Sequence, residues 1–440
     1  MKKLILLFAV TCLSLSSFSI TTIYVKSDGS GTADGLSWAN AVTLDQGRTL
    51  ANYYNTLAIP VANQIWMKAG TYNLTAAFLI NIPLTIYGGF AGAEANLTDR
   101  NWVINQTILN QTAALQVIWS NVEKDVLLDG LILQGGNPPG NGACGQITSG
   151  TTLRNCIIRN NKAVTVAKFA VFLTNVPAGA TKKITLDNCL IVNNETAVSP
   201  SVFNIVTTSQ VDITNTTIAN NFSQATNATG AVIAITNGAP IVNMYNNIIY
   251  NNKTGSATAQ SVTTTTMTTG AKVVYNNAWD VATANTTATA GNIVLAYSPF
   301  VSATGFVGAA NASTQLLTDI NAANFKLATG STCINTGNNT YATATTDLAG
   351  DTRIQNTTVD MGAYEFSTTA GISYQTIENP IRAFNNQLVV PDHFINRTLS
   401  IYNIQGQLVQ VIKKATTLNS LNTKGILLLK VDNETYKFFN

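Results

Sequence analysis

RNCIIRNNK, at residues 154–162, is the first of four copies of one motif in the middle of the chain. The others are DNCLIVNNE at 187–195, TNTTIANNF at 214–222 and YNNIIYNNK at 245–253. All four share the pattern Asn-x-x-Ile-x-Asn-Asn, and their starting positions are 33, 27 and 31 residues apart. A constant motif at variable spacing indicates a fixed structural coil whose loops differ in length, which is typical of a solenoid.

Alternation within the motif predicts strands. If Asn155 lies at a turn with its side chain inward, Cys156, Ile158 and Asn160 also point inward, and the residues between them point outward. β-branched residues favour strand over helix. The sequence therefore predicts an all-β fold, a right-handed parallel β-helix of about ten coils between residues 65 and 334, with a length of roughly 50 Å at about 4.8 Å per coil.

The recurring asparagines suit the turns of such a coil. Asparagine tolerates left-handed backbone angles, and its amide donates and accepts hydrogen bonds, so that amides in successive coils satisfy one another. We expect a structural ladder formed by the first asparagine of each copy, namely Asn155, Asn188, Asn215 and Asn246. With asparagines at turns and isoleucines in the core, only outward positions and loops remain available for binding.

The N-terminal sequence predicts that the protein is exported. MKKLILLFAVTCLSLSSFS has two lysines, an apolar run and small residues before an expected cleavage near Ser19, which is typical of a signal peptide over residues 1–19. The alternative is a membrane anchor, but the apolar run is shorter than the roughly 20 residues that span a bilayer. No later segment is long enough to cross a membrane. Residues 20–64 are predicted to hold a first strand and a cap, with a capping helix over residues 44–57.

Composition limits the partners and the chemistry. The chain has 46% hydrophobic residues, which can supply a core, but only 10% charged residues and a formal net charge of +3, so no nucleic-acid footprint is expected. Cys144, Cys156, Cys189 and Cys333 form no CxxC pair, and stacked core thiols are favoured over a bridge between the second and third. The Thr-rich stretch 255–290 predicts loops and exposed strands, with a disordered linker as the alternative.

Two segments resemble a known family. TIYVKSDGSGTADGLSWANA at 22–41 and QIWMKAGTY at 64–72 look like the opening of bacterial surface β-helix proteins related to the pectin-lyase-like superfamily. STCINTGNNTYATATTDLAGDTRIQNTTVDMGAYEF at 331–366 is similar to the choice-of-anchor Q module, and this resemblance implies that it closes a β-helix covering residues 65–366.

Within that module, Gly350 and Gly362 are expected to mark turns, and residues 363–366 to form a final capping strand. Arg353 is expected to pair with one of three acidic residues. These partners are Asp347, Asp360 and Glu365.

The C-terminal region changes character after a linker at 367–377. Short apolar runs between Asn, Gly and Asp turns predict a small β-sandwich over residues 378–440. With ENP at 378, IYNIQGQLV at 401 and KGILLLKV at 424, this part resembles the C-terminal sorting domain of the type IX secretion system of Bacteroidota. The family usually has Tyr-Pro-Asn-Pro and Gly-Ile-Tyr where this chain has Ile-Glu-Asn-Pro and Gly-Ile-Leu. An accessory sugar-binding β-sandwich is the alternative.

The resemblance to a sorting domain implies a route for the protein. The chain would leave the cytoplasm by the Sec pathway and cross the outer membrane through the type IX machinery, to be released or attached to surface lipopolysaccharide. The expected localisation is therefore secreted or at the cell surface.

Ionisable residues are too sparse for an obvious active site. Glycosidases need paired carboxylates, and lyases need a base with a metal or a cation. The weak catalytic candidates are Asp187, Glu195 and Asp212, for which solvated turn residues are the plainer interpretation. The one histidine, His393, lies in the presumed sorting tail. No cofactor is expected.

A calcium site is a weaker possibility in SDGSGTADG. Asp28 and Asp34 have a spacing that resembles a calcium loop, but the twelfth position from Asp28 is Ala39 where an EF-hand has glutamate.

Three functions follow from these observations. The leading hypothesis is a non-catalytic secreted or cell-surface β-helix that acts in adhesion or in contact with glycans or matrix. The alternatives are a polysaccharide lyase or glycoside hydrolase of the pectin-lyase-like fold, and a structural spacer of the cell envelope.

Overall fold

The computed structural model divides the chain into two compact units, Met1–Ser367 and Thr368–Asn440, which are described separately. The structure describes residues 21–57, 63–140, 142–163, 171–174, 181–197, 202–206, 210–224, 231–237, 240–254, 264–266, 272–280, 288–303, 324–367, 382–384, 386–390, 394–431 and 434–439. The predicted signal peptide, most of the linker and His393 lie outside these residues.

Three parallel sheets run the length of the first unit. Sheet 1 has ten described strands. They are Thr21–Val25, Asn63–Lys68, Leu84–Phe90, Val126–Asp129, Thr151–Arg154, Ile184–Asp187, Val211–Thr214, Val242–Tyr245, Lys272–Tyr275 and Ala288–Ala290. Sheet 2 follows it around the coil. Its described strands are Gly70–Leu74, Thr107–Gln111, Leu131–Gln134, Ile157–Arg159, Leu190–Val192, Thr217–Ala219, Ile248–Tyr250, Ala278–Trp279 and Ile293–Val294.

Sheet 3 closes each coil before the chain returns to sheet 1. Its described strands are Phe78–Leu79, Ile118–Trp119, Gly145–Ile147, Phe172–Thr174, Phe203–Val206, Ala231–Asn237 and Thr264–Thr266. In the central coils a short sheet 4 lies between sheets 2 and 3. It consists of Lys162–Ala163, Glu195–Thr196, Phe222–Ser223 and Lys253–Thr254. Each strand pairs in parallel with the equivalent strand of the next coil, and right-handed crossovers between parallel strands are the rule. The predicted right-handed parallel β-helix is confirmed.

The isoleucine of each motif copy lies in the core, as the alternation predicts. Ile158 pairs in register with Ile191, and the same column continues through Ile218 and Ile249. All four side chains are buried. Because every coil contributes one such residue at the same height of the strand, the core is a stack of aliphatic layers along the axis.

A buried amide ladder runs through the last asparagine of each motif copy, whereas the predicted ladder consists of the first asparagines. Asn161 donates from Nδ2 to Asn194 Oδ1 at 3.0 Å, and the chain of bonds continues to Asn221 and Asn252 at 2.9 Å each. The prediction that Asn160 points inward is wrong, because Asn160 is the turn residue itself, with φ 54°. The left-handed turn interrupts the strand alternation, so the second asparagine of the pair enters the interior.

The first asparagines also adopt left-handed angles, with φ between 47° and 56°. Asn188 donates to Asn155 Oδ1 at 2.7 Å and Asn246 donates to Asn215 Oδ1 at 3.1 Å. The prediction that the Asn155 side chain faces the core is wrong, because these amides lie outside the core. Asn188 and Asn246 also donate to backbone carbonyls of residues 331–366, at 3.1 and 3.0 Å.

The N-terminal end of the β-helix is covered by helix α1, Leu44–Thr56, close to the predicted 44–57. At its start Gln46 Oε1 accepts a hydrogen bond from Thr43 N at 2.9 Å. Leu44 and Ala51 belong to the same buried cluster as the first strand, Thr21–Val25. Short 3-10 turns occur at Trp38–Asn40, Leu97–Asp99 and Asn339–Tyr341.

Residues 331–366, which we call the covering segment, lie along the outside of the helix. A hairpin of Phe300–Ser302 and Asn324–Leu327 precedes them. Met361, Ala363 and Leu348 pack in one cluster with outward residues of sheet 2, among them Leu190 and Ile248. Gly350 and Gly362 adopt positive φ angles of 82° and 90°.

The predicted capping strand over residues 363–366 does not form. Ala363 N donates to the side chain of Thr217, at 3.0 Å, and not to a strand edge. Part of the outward surface of sheet 2 is therefore covered, which corrects the expectation that all outward positions remain available for binding.

The described cysteines are buried and free, including Cys156 and Cys189 in neighbouring coils. Within the described ranges, no helix is long and apolar enough to cross a membrane.

The second unit has two antiparallel sheets around its own core. One sheet contains Arg382–Phe384, Gln387–Val389 and Leu418–Ser420, and the other contains Leu399–Asn403, Leu408–Ile412, Ile426–Val431 and Glu434–Phe439. Leu388, Leu399, Ile401 and Leu429 are fully buried between them. This small β-sandwich agrees with the predicted fold class.

Candidate functional site

Asp212 lies on the outer face of sheet 1 and is fully engaged by neighbours. Its Oδ1 accepts hydrogen bonds from Gln210 Nε2 and Asn243 Nδ2, both at 2.7 Å. Its Oδ2 lies 2.7 Å from Lys183 Nζ. A carboxylate held by three donors is a poor general base, because each donor occupies a lone pair that would have to accept the substrate's proton.

Asp187 lies one coil earlier, at the end of its strand. Thr343 Oγ1 of the covering segment donates to Oδ2 at 2.9 Å, and Arg154 Nε lies 3.6 Å from the same oxygen. Burial raises the pKa of the Asp187 carboxyl. Since Asp187 pairs with Thr214 and Asp212 with Thr185, the two aspartates are two register positions apart on adjacent strands, about 8 Å between Cα atoms from strand geometry.

Inverting glycosidases hold their two carboxyl groups roughly 6.5–9.5 Å apart, with a sugar and a water between them. Access to Asp187 does not allow such an arrangement. Asp187 is only 2% exposed beneath the covering segment, so a sugar ring cannot lie between the two carboxylates without displacing Thr343.

Glu195 is separated from both aspartates, since it begins the sheet 4 strand beyond the next corner of the coil. Its Oε1 accepts a hydrogen bond from Gln224 Nε2 at 2.6 Å, and its Oε2 lies 3.2 Å from Lys162 Nζ. The structure therefore places the three candidate carboxylates in three separate ion pairs. Only Asp187 and Asp212 share a face.

The outer face of sheet 1 carries a column of mostly uncharged polar residues. Register places Thr85, Leu127, Thr152, Thr185, Asp212 and Asn243 one above another on successive coils, and we call them the open column. Except for Asp212, these residues are partly exposed. Hydroxyl and amide groups repeating at about 4.8 Å can exchange hydrogen bonds with an extended polar chain.

The equivalent outward column of sheet 2 is mostly apolar, and the covering segment lies over part of it. Ile132, Leu190 and Ile248 are each at most 5% exposed. Trp102 Nε1 donates to Leu348 O of the covering segment at 3.1 Å. The buried part of this column packs against the covering segment.

A buried charged cluster holds the covering segment together. Arg353 is 1% exposed, and its Nη2 donates to the backbone oxygens of Asp360 and Gly362 at 3.2 and 2.6 Å. Its Nε lies 3.6 Å from Glu365 Oε1, so Glu365 is its side-chain partner among the three predicted. Burial raises the pKa of Glu365 to about 8 and that of Asp347 to about 6.

A cavity of about 260 Å³ lies at the corner between sheets 2 and 4. Asn160, Asn193, Lys162, Glu195 and Gln134 line it. The sequence gives Glu195 as a candidate but gives no reason to single out the asparagines, which look like ordinary turn residues. Only the register of successive coils brings them to one place.

A ladder of polar side chains on the outside of sheet 2 also becomes visible only when the register of the coils is known. Asn110 donates to Asn73 Oδ1 at 2.9 Å, Gln134 donates to Asn110 Oδ1 at 3.3 Å, and Arg159 donates to Gln134 Oε1 at 3.0 Å. No local motif marks these four residues, because they come from different coils.

The proposed calcium ligands do not form a cluster of the kind that holds a metal. Asp34 accepts hydrogen bonds from Leu36 N at 2.9 Å and Thr32 Oγ1 at 3.0 Å, so it stabilises its own turn. Among the described residues, no three His, Cys, Asp or Glu side chains lie close enough together to bind an ion.

Together, these features define a parallel β-helix protein whose covering segment lies over part of sheet 2 and over Asp187 of sheet 1, while the open column stays partly exposed. No protein-family profile matches the chain, and no curated protein is significantly similar in sequence. Among solved structures, the crystal structure of pectate lyase Pel9A is similar, with a TM-score of 0.39 and 14% identity over 80% of this chain and 98% of that one. The β-helix assignment rests on the strand order of this chain, and the similarity says nothing about its activity.

Proposed function

We propose that this protein is a secreted or cell-surface β-helix that contacts glycans or extracellular matrix without catalysis, through the open column of sheet 1. The observation that carries the proposal is the contrast between the two outer faces. Where the covering segment packs on sheet 2, the outward residues are mostly apolar and buried, whereas Thr152, Thr185 and Asn243 are polar, uncharged and partly exposed.

Glycans match this surface chemically. A sugar hydroxyl both donates and accepts hydrogen bonds, as do the threonine hydroxyl and the asparagine amide. The column also follows the axis of the solenoid, so successive sugars of one chain can meet successive coils. Lys183, whose side chain is 55% exposed at the edge of this column, adds a cation that suits acidic substituents.

The ion pairs described above support a non-catalytic role. Hydrolysis needs one free acid and one free base on either side of a sugar. Asp212 has three donors, and Asp187 lies beneath the covering segment.

The test is a binding and turnover screen of the purified protein against neutral glycans and polyuronates, with and without calcium. We expect retention of one or more glycans without release of reducing ends or unsaturated products. Thr152→Val combined with Thr185→Val should weaken binding about tenfold, since each lost hydrogen bond is worth about 0.5–1.5 kcal/mol. Thr71→Val, on an exposed residue of sheet 2, is the matched control and should leave binding unchanged.

The same screen separates the rival functions. Turnover that Asp187→Asn or Asp212→Asn abolishes would establish an enzyme and overturn the proposal. A protein that neither binds nor cleaves any glycan would fit a structural spacer.

We further propose that the β-sandwich of residues 378–440 directs type IX secretion, as its sequence resemblance implies. Support comes from an independent core, which a separable sorting module needs. In a bacterium that has this system, deletion of residues 378–440 should leave the protein in the periplasm. Surface exposure of the truncated protein, measured by protease accessibility of intact cells, would contradict the proposal.

A further inference from the structure

The corner cavity is lined by two asparagines, the buried Asn193 and the partly exposed Asn160, whose amide atoms have no partner. Asn193 is 2% exposed, and neither its Oδ1 nor its Nδ2 makes a hydrogen bond within the described part of the chain. The same holds for both amide atoms of Asn160, one coil earlier. We propose that this cavity binds one neutral sugar residue, whose hydroxyl groups pair with these amides.

The unpartnered amides cannot be explained by the needs of the turn. Both residues have left-handed backbones, with φ of 54° and 53°, a conformation that glycine also supplies. In the preceding coil the same corner is made by Gly135, with φ 82°, whose N donates to Asn160 O. A glycine would therefore form this turn without leaving a buried amide unsatisfied, which costs about 1–3 kcal/mol.

In the next two coils the equivalent residues, Asn220 and Asn251, do not line this cavity. Asn251 Nδ2 donates to Asn220 Oδ1 at 2.6 Å, and Asn220 Nδ2 donates to Ala303 O at 2.9 Å. The amides of this column are thus satisfied by protein at Asn220, and they lack partners at the two residues that line the cavity.

The remaining wall of the cavity determines the class of ligand. Glu195 Oε2 lies 3.2 Å from Lys162 Nζ but accepts no hydrogen bond. The two charges balance, which favours an uncharged ligand, while donors and acceptors alternate around the wall. A sugar ring with adjacent hydroxyls can donate to Glu195 and to asparagine Oδ1 and accept from asparagine Nδ2.

The volume also fits a single sugar residue. About 260 Å³ is below the roughly 300–1,000 Å³ of pockets for drug-sized ligands. The choice of a sugar rests on the proposed function, but the place of the site does not, because the cavity lies at the corner between sheets 2 and 4 and not in the open column.

The test compares two glycine variants of the full chain. Asn193→Gly removes the amide and keeps the backbone angle, as Gly135 does in the native protein. Asn220→Gly is the matched control, because it removes the equivalent amide outside the cavity. Binding of the methyl glycosides of glucose, galactose, mannose and N-acetylglucosamine is measured by saturation-transfer NMR and titration, and folding by circular dichroism.

We expect at least one glycoside to bind the native protein, Asn193→Gly to weaken its binding at least tenfold, and Asn220→Gly to leave it unchanged. Glu195→Gln should also weaken binding, since it removes the charged acceptor. Equal binding by Asn193→Gly and the native protein would overturn the site, as would a cavity occupied by water alone, with no glycoside bound.

The outcomes also distinguish this site from the proposed function. If the glycosides do not bind but glycans on an array still do, and Thr152→Val with Thr185→Val reduces that binding, the cavity proposal fails and the proposed function stands. If glycosides bind in the cavity but Thr152→Val with Thr185→Val leaves glycan binding unchanged, the cavity proposal stands and the open column is not the glycan-binding surface.

Discussion

The two outer faces of the β-helix begin from the same geometry and end differently. In one coil, Thr185 of sheet 1 and Leu190 of sheet 2 both occupy outward strand positions. Thr185 is partly exposed, whereas Leu190 is 5% exposed beneath the covering segment. Outward position alone therefore does not define a binding surface. Whether the covering segment packs on the residue decides its exposure.

The largest difference between the faces is expected in the free energy of unfolding that is lost when an arginine on each face is replaced. Arg353→Met should lower the free energy of unfolding by about 3–5 kcal/mol, because it leaves buried carboxylates without their cation. Arg154→Met on the sheet 1 side should cost at most about 1 kcal/mol, since its side chain is 42% exposed. Urea unfolding measures both. Equal losses would show that the two faces are equally buried in solution.

A smaller contrast is expected for two outward leucines. Leu190→Ala should cost about 2–4 kcal/mol, because it opens a void under the covering segment. Leu127→Ala, in the open column, should cost about 1 kcal/mol or less, because the side chain is already partly in water. If Leu127→Ala is as costly as Leu190→Ala, a further layer covers sheet 1 and the proposed binding surface is wrong.

The covered face should also respond to pH. Burial raises the pKa of Glu365 to about 8, from about 4.3 in an unfolded chain, so the folded state binds the extra proton between these values. The stabilisation of the covering segment by this proton is therefore complete below about pH 4 and decreases as the pH rises to 8. Asp347, with its pKa raised to about 6, acts in the same direction at lower pH.

Hydrogen exchange of peptides from residues 331–366, corrected for intrinsic rates, measures this dependence. Glu365→Gln should flatten it, and peptides from the open column provide the internal control. Protection that rises with pH in the native protein would contradict the assigned direction.

The smallest effect is expected for the hydrogen bond between Trp102 and the covering segment. Trp102→Phe keeps the aromatic packing and removes the hydrogen bond to Leu348 O, which should cost about 0.5–1.5 kcal/mol. Trp38→Phe, which loses a similar bond to Glu94 O, is the control and should not change exchange in the covering segment. Faster exchange of residues 331–366 in both variants would mean that this contact is not specific.

The motif predicted the coil well because its signal is local. Ile158 and its equivalents alternate with outward residues over a few positions, and that period alone places them in the core. The same alternation predicted the wrong orientation for Asn160, since a left-handed turn shifts the register by one residue. Nothing in the motif indicates which of the two asparagines adopts the left-handed conformation.

The contacts between distant segments could not be predicted in the same way. The sequence of residues 331–366 contains Arg353 and its acidic partners, but not the information that Thr343 reaches Asp187. The cavity could not be predicted either, because it depends on which coils are neighbours. Asn160 and Asn193 occupy the same motif position as Asn220, and only the structure shows that their amides lack partners.

The covering segment also changes how the solenoid should unfold. In a repeat protein each coil contacts only its neighbours, so the ends can fray one coil at a time. Here Leu348 bonds to Trp102 across 246 residues, Thr346 to Asn188 across 158, and Asn338 to Asn246 across 92. One continuous stretch thus ties together coils that do not touch one another. Loss of any tied coil releases the others, so the array should melt as a single cooperative unit.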